Sequence, residues 1–324
     1  MNYVVTGGCG FIGSNYVRGL LSGAWGSRVD KVTVIDSLTY AGNLSNLNPV
    51  IDDPRLTFIQ EDIVHQKEIT EILSGNDIVV HFAAESHVDR SISGSAEFIR
   101  TNVLGTHSML QASLDSKIKQ FLHVSTDEVY GTIDKGSWDE QEPLLPNSPY
   151  AASKASSDLI ARSFFITHGL DVRITRCSNN FGIYQFPEKV SPLFITNLMQ
   201  GKKIPLYGDG LNVRDWLHVD DHCRGIQLVI EKGRAGQIYN IGGGTELTNI
   251  ALTNMILSAV GASNESIEAV EDRKAHDRRY SVDITKIHNE LGYSPQCTLE
   301  DTLSTIVEWY KNNQQWWTPL KANK

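Results

Sequence analysis

The chain has 324 residues, enough for one or two domains with a sizeable core; 40% are hydrophobic and 21% charged, the balance of an ordinary soluble globular enzyme. A formal net charge of −9 excludes the broad basic face of a nucleic-acid binder, although a local basic pocket for a phosphate remains compatible with it. Four scattered cysteines, Cys9, Cys177, Cys223 and Cys297, form no CxxC knuckle and read as free thiols, so no metal site is expected.

Taken in order, short apolar runs at 3–6, 31–36, 56–60, 77–82, 119–125 and 171–176 alternate with amphipathic stretches at 13–22, 68–74, 102–116 and 151–168. Strands alternating with helices predict right-handed βαβ units and a Rossmann-type, doubly wound parallel α/β sheet over residues 1–177. No run approaches the ~18 apolar residues of a membrane span, and the first residues enter a strand without a leader pattern. A cytoplasmic location is expected. Beyond 177 the rhythm shortens under Gly and Pro punctuation. Helices are predicted at 219–232 and 248–260, and one more buried strand at 238–241 that returns to the first sheet. Residues 178–324 otherwise read as a smaller substrate-binding domain.

The loop Thr6-Gly7-Gly8-Cys9-Gly10-Phe11-Ile12-Gly13 follows the first strand and opens the first helix. Gly7, Gly10 and Gly13 permit a tight turn and close approach of a pyrophosphate to a helix N-terminus. Asp36 ends the second strand, where a carboxylate accepts from the adenosine ribose hydroxyls and repels a 2′-phosphate, favouring NAD over NADP. Capping a turn is the plainer reading of Asp36.

Tyr150 and Lys154 stand four apart at the start of a helix and share a face. The ammonium is expected to lower the tyrosine pKa from ~10, suiting the phenol to take a sugar hydroxyl proton while hydride leaves for NAD. Thr126 matches the third member of such a group. Asp127 and Glu128 follow at the carboxyl end of a parallel strand, the edge where open α/β sheets bind ligands. Oxidation or epimerisation at one carbon needs no such pair. Elimination of water does: a base for the C5 proton and an acid for the departing C6 hydroxyl. Neighbours in a regular strand point to opposite faces, so both acids reach one sugar only if the backbone turns there.

These stretches resemble the dTDP-glucose 4,6-dehydratases of the extended short-chain dehydrogenase/reductase family. The GxxGxxG spacing, Asp36–Asn43, His81–Ser91, Ser125–Gly131, Ser148–Lys154, Arg176–Asn180, Pro187–Lys189, Pro205–Gly210, Arg214–Trp216 and the stretch 272–280 carry the resemblance, which covers nearly the whole chain. It implies Tyr150 as base for C4 oxidation, Asp127 as acid and Glu128 as C5 base, with NAD regenerated in each cycle of deoxysugar biosynthesis. It implies NAD contacts at Phe11, Ile12, Asp36, Asp62, Ile63, Ala83, Ala84, Ser86, Thr101, Lys154 and Asn179. Substrate contacts are implied at Ser86, Thr126, Asn179, Glu188, Lys189, Arg214, Asn249, Arg273 and His276. Arg214 and Arg273 offer planar forks for a diphosphate, and Pro205 and Tyr207 an apolar contact for a pyrimidine. His276 reads equally as an exposed turn residue, and Tyr280 as core.

Family members pair as homodimers, and the apolar residues Leu159, Ile160, Phe164 and Phe165 suit such a face or simple packing on the sheet. Departures are few: Cys9 stands where alanine is commoner, and Ile183 replaces a proline. The tail Asn313-Gln314-Gln315-Trp316-Trp317 resembles the bacterial members that make deoxysugars for secondary metabolites. A UDP-sugar 4-epimerase would share the glycine loop and Tyr–Lys pair without Asp127 and Glu128 together, and a UDP-glucuronate decarboxylase usually has serine where Asp127 stands. UDP-glucose in place of dTDP-glucose stays open, because one methyl group is worth only ~1–3 kcal/mol in an apolar pocket. A non-catalytic NAD-binding protein is disfavoured by the intact set.

Overall fold

A computed structural model describes residues 1–26, 28–274 and 276–322. The chain-order strands are β1 Asn2–Thr6, β2 Lys31–Asp36, β3 Leu56–Gln60, β4 Ile78–His81, β5 Gln120–Thr126, β6 Val172–Cys177, β7 Asn179–Phe181, β8 Ile204–Tyr207, β9 Val213–His218, β10 Ile238–Ile241, β11 Glu246–Thr248 and β12 Ile267–Val270. Seven form one parallel sheet in the order β10-β6-β5-β4-β1-β2-β3. That is the doubly wound order extended by the returning strand β10. Burial on both faces explains why these strands read as continuous apolar runs: all four residues of β4 and all seven of β5 are buried.

One face is covered by helices Phe11–Ser22, Val219–Lys232 and Thr285–Leu291, whose apolar residues join Tyr3, Val5 and Val34 in one core. The other face carries Gln66–Leu73, Thr106–Asp115 and Pro149–His168, packed with Val4, Val79 and Phe121. The strand order reverses between β1 and β4, and the crevice at their carboxyl ends is where such sheets take ligands.

The predicted helix at 102–116 is continuous but not uniform: Ile99–Gly105 winds as a π-helix before the α-helix Thr106–Asp115. A π-turn re-aims side chains, and the consequence for Asn102 appears below. The second half also contains elements that the sequence rhythm does not announce. A three-stranded sheet β11-β9-β7 and the pair β12-β8 enclose a third core with helices Val190–Met199, Asn249–Val260 and Leu299–Asn312. A final helix, Gln314–Ala322, packs its Trp317 into the same core.

Candidate active site

Gly7 follows β1 with a φ of +66°, and a Cβ there would lie 2.7 Å from the Ala83 nitrogen. A Cβ on Gly13 would lie 2.3 Å from the Gly7 oxygen, so the first helix can close on the loop only without a side chain. That helix starts after Gly10 with no side-chain cap, leaving its first N–H groups free for an anion. Asp36 accepts from the Cys9 nitrogen and the Leu38 nitrogen, each at 2.9 Å. It therefore caps two loops, as the plainer reading had it, and also borders the cleft. Burial pushes its carboxyl up and the two amides pull it back. The Cys9 thiol is buried in the core, which accounts for the tolerance of a side chain larger than alanine.

Gly7, Gly10, Phe11, Ile12, Gly13, Asp36, Asp62, Ile63, Ala83, Ala84, Ser86, Thr101, Tyr150, Lys154 and Asn179 all border this single cleft. Asn179 Oδ1 and Ser125 Oγ, in the same lining, are buried without a hydrogen-bond partner. Buried polar atoms rarely stay unpaired, so the lining fits a polar ligand such as a dinucleotide. Among the described residues, no cluster of His, Cys, Asp or Glu could hold a metal ion.

The chemistry sits at the end of β5. The strand stops at Thr126, whose hydroxyl accepts from the Glu128 nitrogen at 3.2 Å and caps a 3₁₀ turn over Asp127–Tyr130. This turn removes the alternation of a strand and lets both acids border the cleft. Asp127 is 2% exposed; its Oδ1 accepts from Thr126 Oγ1 at 3.2 Å and its Oδ2 has no partner. Burial, then the charges of Glu128 and Asp215, hold its carboxyl well above the usual range. Glu128 is also raised by burial, but Arg214 and Lys189 pull it down. A carboxyl raised well above its range beside one that neighbouring cations pull back down is the pattern of an acid beside a base.

Ser148 caps the helix that carries Tyr150 and Lys154, accepting from the Ala151 nitrogen at 3.1 Å. The expected lowering of the Tyr150 phenol does not hold. Burial and then Glu128 raise it, while a hydrogen bond with Thr126 works the other way. The Lys154 ammonium instead donates to the Val124 carbonyl at 2.8 Å and is itself lowered by burial to about 8.

Of the expected substrate residues, Ser86, Thr126, Asn179, Glu188 and Lys189 border the cleft, with Lys189 Nζ donating to the Ser86 carbonyl at 2.8 Å. The other six lie outside its lining and gather on the second half. Pro205 and Tyr207 are on β8, Arg214 on β9, and Asn249 starts a helix with its N–H on the Asn212 carbonyl at 2.9 Å. The Arg273 guanidinium stands 5.2 Å from the Tyr207 ring centre, and Arg214 4.2 Å from that of Tyr280. Both arginines act on Glu128, which links this group to the catalytic turn. His276 is engaged by Asp272 rather than exposed as a free turn residue.

Two contributors are absent from the sequence reading. Asn102, aimed by the π-turn, accepts from Glu85 N at 2.8 Å and donates to Glu85 O at 3.0 Å and to Ser153 Oγ at 2.8 Å. It pins the loop after β4 to the Tyr–Lys helix; a buried Asn within a helical pattern is the signal that marks it. Arg90, on the short helix Val88–Ser93, stacks 3.8 Å from the Tyr40 ring centre and reaches Glu188 Oε2 at 3.4 Å, joining that helix to two loops around the cleft.

The chain matches the family model described as GDP-mannose 4,6 dehydratase over residues 4–306. It is 55% identical over 323 residues to a dTDP-glucose 4,6-dehydratase of Streptomyces antibioticus, covering 99% of this chain and 96% of that protein. A dTDP-glucose 4,6-dehydratase of Streptomyces griseus is 56% identical over 317 residues, covering 98% and 96%. Among solved structures, DesIV, a dTDP-glucose 4,6-dehydratase from Streptomyces venezuelae with NAD and TYD bound, superposes with a TM-score of 0.98 at 59% identity, covering 99% of this chain and 100% of that one. A UDP-glucuronic acid 4-epimerase from Bacillus cereus gives 0.90 at 27% identity, covering 96% and 99%.

Proposed function

The chain belongs to the GDP-mannose 4,6 dehydratase family and, within it, to the dTDP-glucose 4,6-dehydratases, and on that premise we propose that it converts dTDP-glucose to dTDP-4-keto-6-deoxyglucose and water. The observation that carries the reaction type is the Asp127–Glu128 turn, with one carboxyl raised well above its usual range beside another that Arg214 and Lys189 pull back down. Bound NAD supplies the two-electron exchange, accepting hydride from C4 and returning it to C6. Tyr150 takes the C4 hydroxyl proton, with Thr126 hydrogen-bonded to the phenol and Lys154 holding the nicotinamide ribose. Once C4 is a ketone, the C5 proton is acidic and Glu128 removes it. Asp127 protonates the departing C6 hydroxyl, so that water and not hydroxide leaves. Arg214 and Arg273 neutralise the diphosphate, and Pro205 and Tyr207 flank the base.

Residues 1–177, completed by the segment 219–241, form the NAD-binding unit, and the rest of 178–324 binds the nucleotide sugar. The exposed Leu159 and Ile166 on the Tyr–Lys helix, with Ile99 and Leu104 on the π-helix, support pairing with a second copy. Such pairing buries apolar surface that water otherwise wets. Among the described residues, no helix is long and apolar enough to cross a membrane, and the cytoplasm, which holds NAD and nucleotide sugars, is the expected compartment.

Incubation with dTDP-glucose and UDP-glucose in parallel, without added NAD, tests the reading through the alkali-induced absorbance of a 4-keto-6-deoxy product. Product from dTDP-glucose with no net NADH is expected. Absence of a keto product from either sugar defeats the assignment, and a preference for UDP-glucose moves it to the uridine nucleotide.

A further inference from the structure

The tail that ends in Trp316 and Trp317 has no part in the reaction, yet it reaches the dinucleotide loop. Trp316, on the helix Gln314–Ala322, donates its indole N–H to Asn46 Oδ1 at 2.9 Å, across 270 residues of sequence. Asn46 is 2% exposed, and its amide nitrogen donates to the Cys9 carbonyl at 2.9 Å. An indole only donates and a carbonyl only accepts, so this pair fixes which way the Asn46 amide faces. The Asn43 nitrogen donates to the same Cys9 carbonyl at 3.0 Å, while the Cys9 nitrogen donates to Asp36. Cys9, in the middle of the glycine loop, is thus gripped at its N–H by the ribose-facing carboxylate and at its carbonyl by Asn46.

The surroundings hold the indole in place. Its ring meets Tyr184 edge-on at 5.5 Å and Trp309 at 5.2 Å. Arg18, from the helix that opens behind the glycine loop, lies 4.4 Å from the Tyr184 ring centre and donates to the Asn46 carbonyl at 2.7 Å. The C-terminal helix, the pyrophosphate helix and the Asn43–Asn46 turn therefore meet at one buried residue, Asn46.

We infer that Trp316 is a positioning residue for NAD: acting through Asn46, it holds the Cys9 peptide in the conformation that cradles the dinucleotide. The inference rests on the assignment of this cleft to NAD. Without the indole N–H, Asn46 Oδ1 is a buried acceptor with no partner, and the amide is free to leave Cys9.

The test is titration of the full-length chain, stripped of nucleotide, with NAD by calorimetry. Trp316→Phe keeps a ring against Tyr184 and Trp309 and removes only the donor; three- to tenfold weaker NAD binding is expected, with kcat at saturating NAD retained. Trp317→Phe is the control. Its indole donates to the Tyr310 carbonyl of the preceding helix at 2.7 Å and does not reach the loop, so NAD affinity should stay at the wild-type value. Asn46→Ala should weaken NAD binding as well, and adding Trp316→Phe to it should cost nothing more, because both act through one amide. Wild-type affinity in Trp316→Phe, equal losses in the two tryptophan variants, or additive losses with Asn46→Ala would each overturn the inference. A wild-type chain that takes up no NAD overturns the cofactor reading as well, whereas normal NAD binding by both wild type and Trp316→Phe overturns this inference alone.

Discussion

Replacing Asp127 by Asn isolates the elimination step. Burial and the charges of Glu128 and Asp215 push the wild-type carboxyl well above its usual range, against the pull of Arg214, and so favour its protonated form. Asparagine has the shape of the protonated acid and carries no charge, and its amide oxygen keeps the acceptor facing the Thr126 hydroxyl. Folding should therefore be little affected, with a stability change below about 1 kcal/mol. Only the transferable proton is lost. General acid catalysis contributes about 10²- to 10⁴-fold, or roughly 3–5 kcal/mol of barrier, and departure of hydroxide in place of water puts the loss toward the upper end. C4 oxidation runs through Tyr150 and should proceed at close to its normal rate. On rapid mixing with dTDP-glucose, absorbance of NADH should rise toward one equivalent per active site and then decay a hundredfold or more slowly, with quenched product following the decay. If NADH formation slows as much as product formation, Asp127 serves the oxidation and the division of labour proposed for the two acids is wrong.

The Lys154 ammonium is lowered by burial to about 8, so it is charged below that pH and neutral above it. The rate of the NADH burst should fall as pH rises through about 8, and Lys154→Arg should move that limb upward; a burst rate flat from pH 7 to 9 would contradict the role of the ammonium. Gly13→Ala places a methyl 2.3 Å from the Gly7 oxygen, a backbone atom with little freedom to yield. A loss of about 1–3 kcal/mol in denaturant unfolding and a chain purified without NAD are expected. His222 is fully buried with Nδ1 against Asn180 Oδ1 at 2.9 Å, and burial lowers it from 6.5 to about 3. Its neutral form is favoured by the fold, so its contribution is complete above pH 6.5 and is lost as pH falls toward 3. The slope is about 1.4 kcal/mol per pH unit. Unfolding followed between pH 7 and 4.5 should show His222→Gln less acid-sensitive than wild type; equal slopes would assign the acid sensitivity to other groups.

The first half was legible because parallel strands buried on both faces leave unbroken apolar runs, and because the glycine loop, Asp36 and the Tyr–Lys spacing are local. The Asp127–Glu128 turn was legible as a requirement only: the pattern showed two acids at a strand end, while the bend depends on Thr126 capping Glu128. Strands β7, β11 and β12 are three or four residues long and exist through their partners, so no period could announce them. The helix Leu299–Asn312 did carry a signal, with Leu299, Leu303, Ile306, Val307 and Tyr310 on its buried face and Thr298 as cap. The rise of the Tyr150 phenol was not legible, because the spacing shows an ammonium nearby but not that it turns to the Val124 carbonyl or that two carboxyls face the ring.

The returning strand β10 has a consequence for how the protein is made. On the ribosome, β6 is complete at Cys177, but the strand that pairs with it ends only at Ile241 and the helix that covers it spans Val219–Lys232. At ordinary elongation rates the intervening stretch takes on the order of 3–13 s to emerge. Through that interval the nascent sheet presents an unpaired edge and an uncovered apolar face, the features that draw chaperones and drive aggregation. The placement of one late strand thus makes synthesis speed between residues 177 and 241 a determinant of yield, and slow codons in that window would be costlier than elsewhere in the chain.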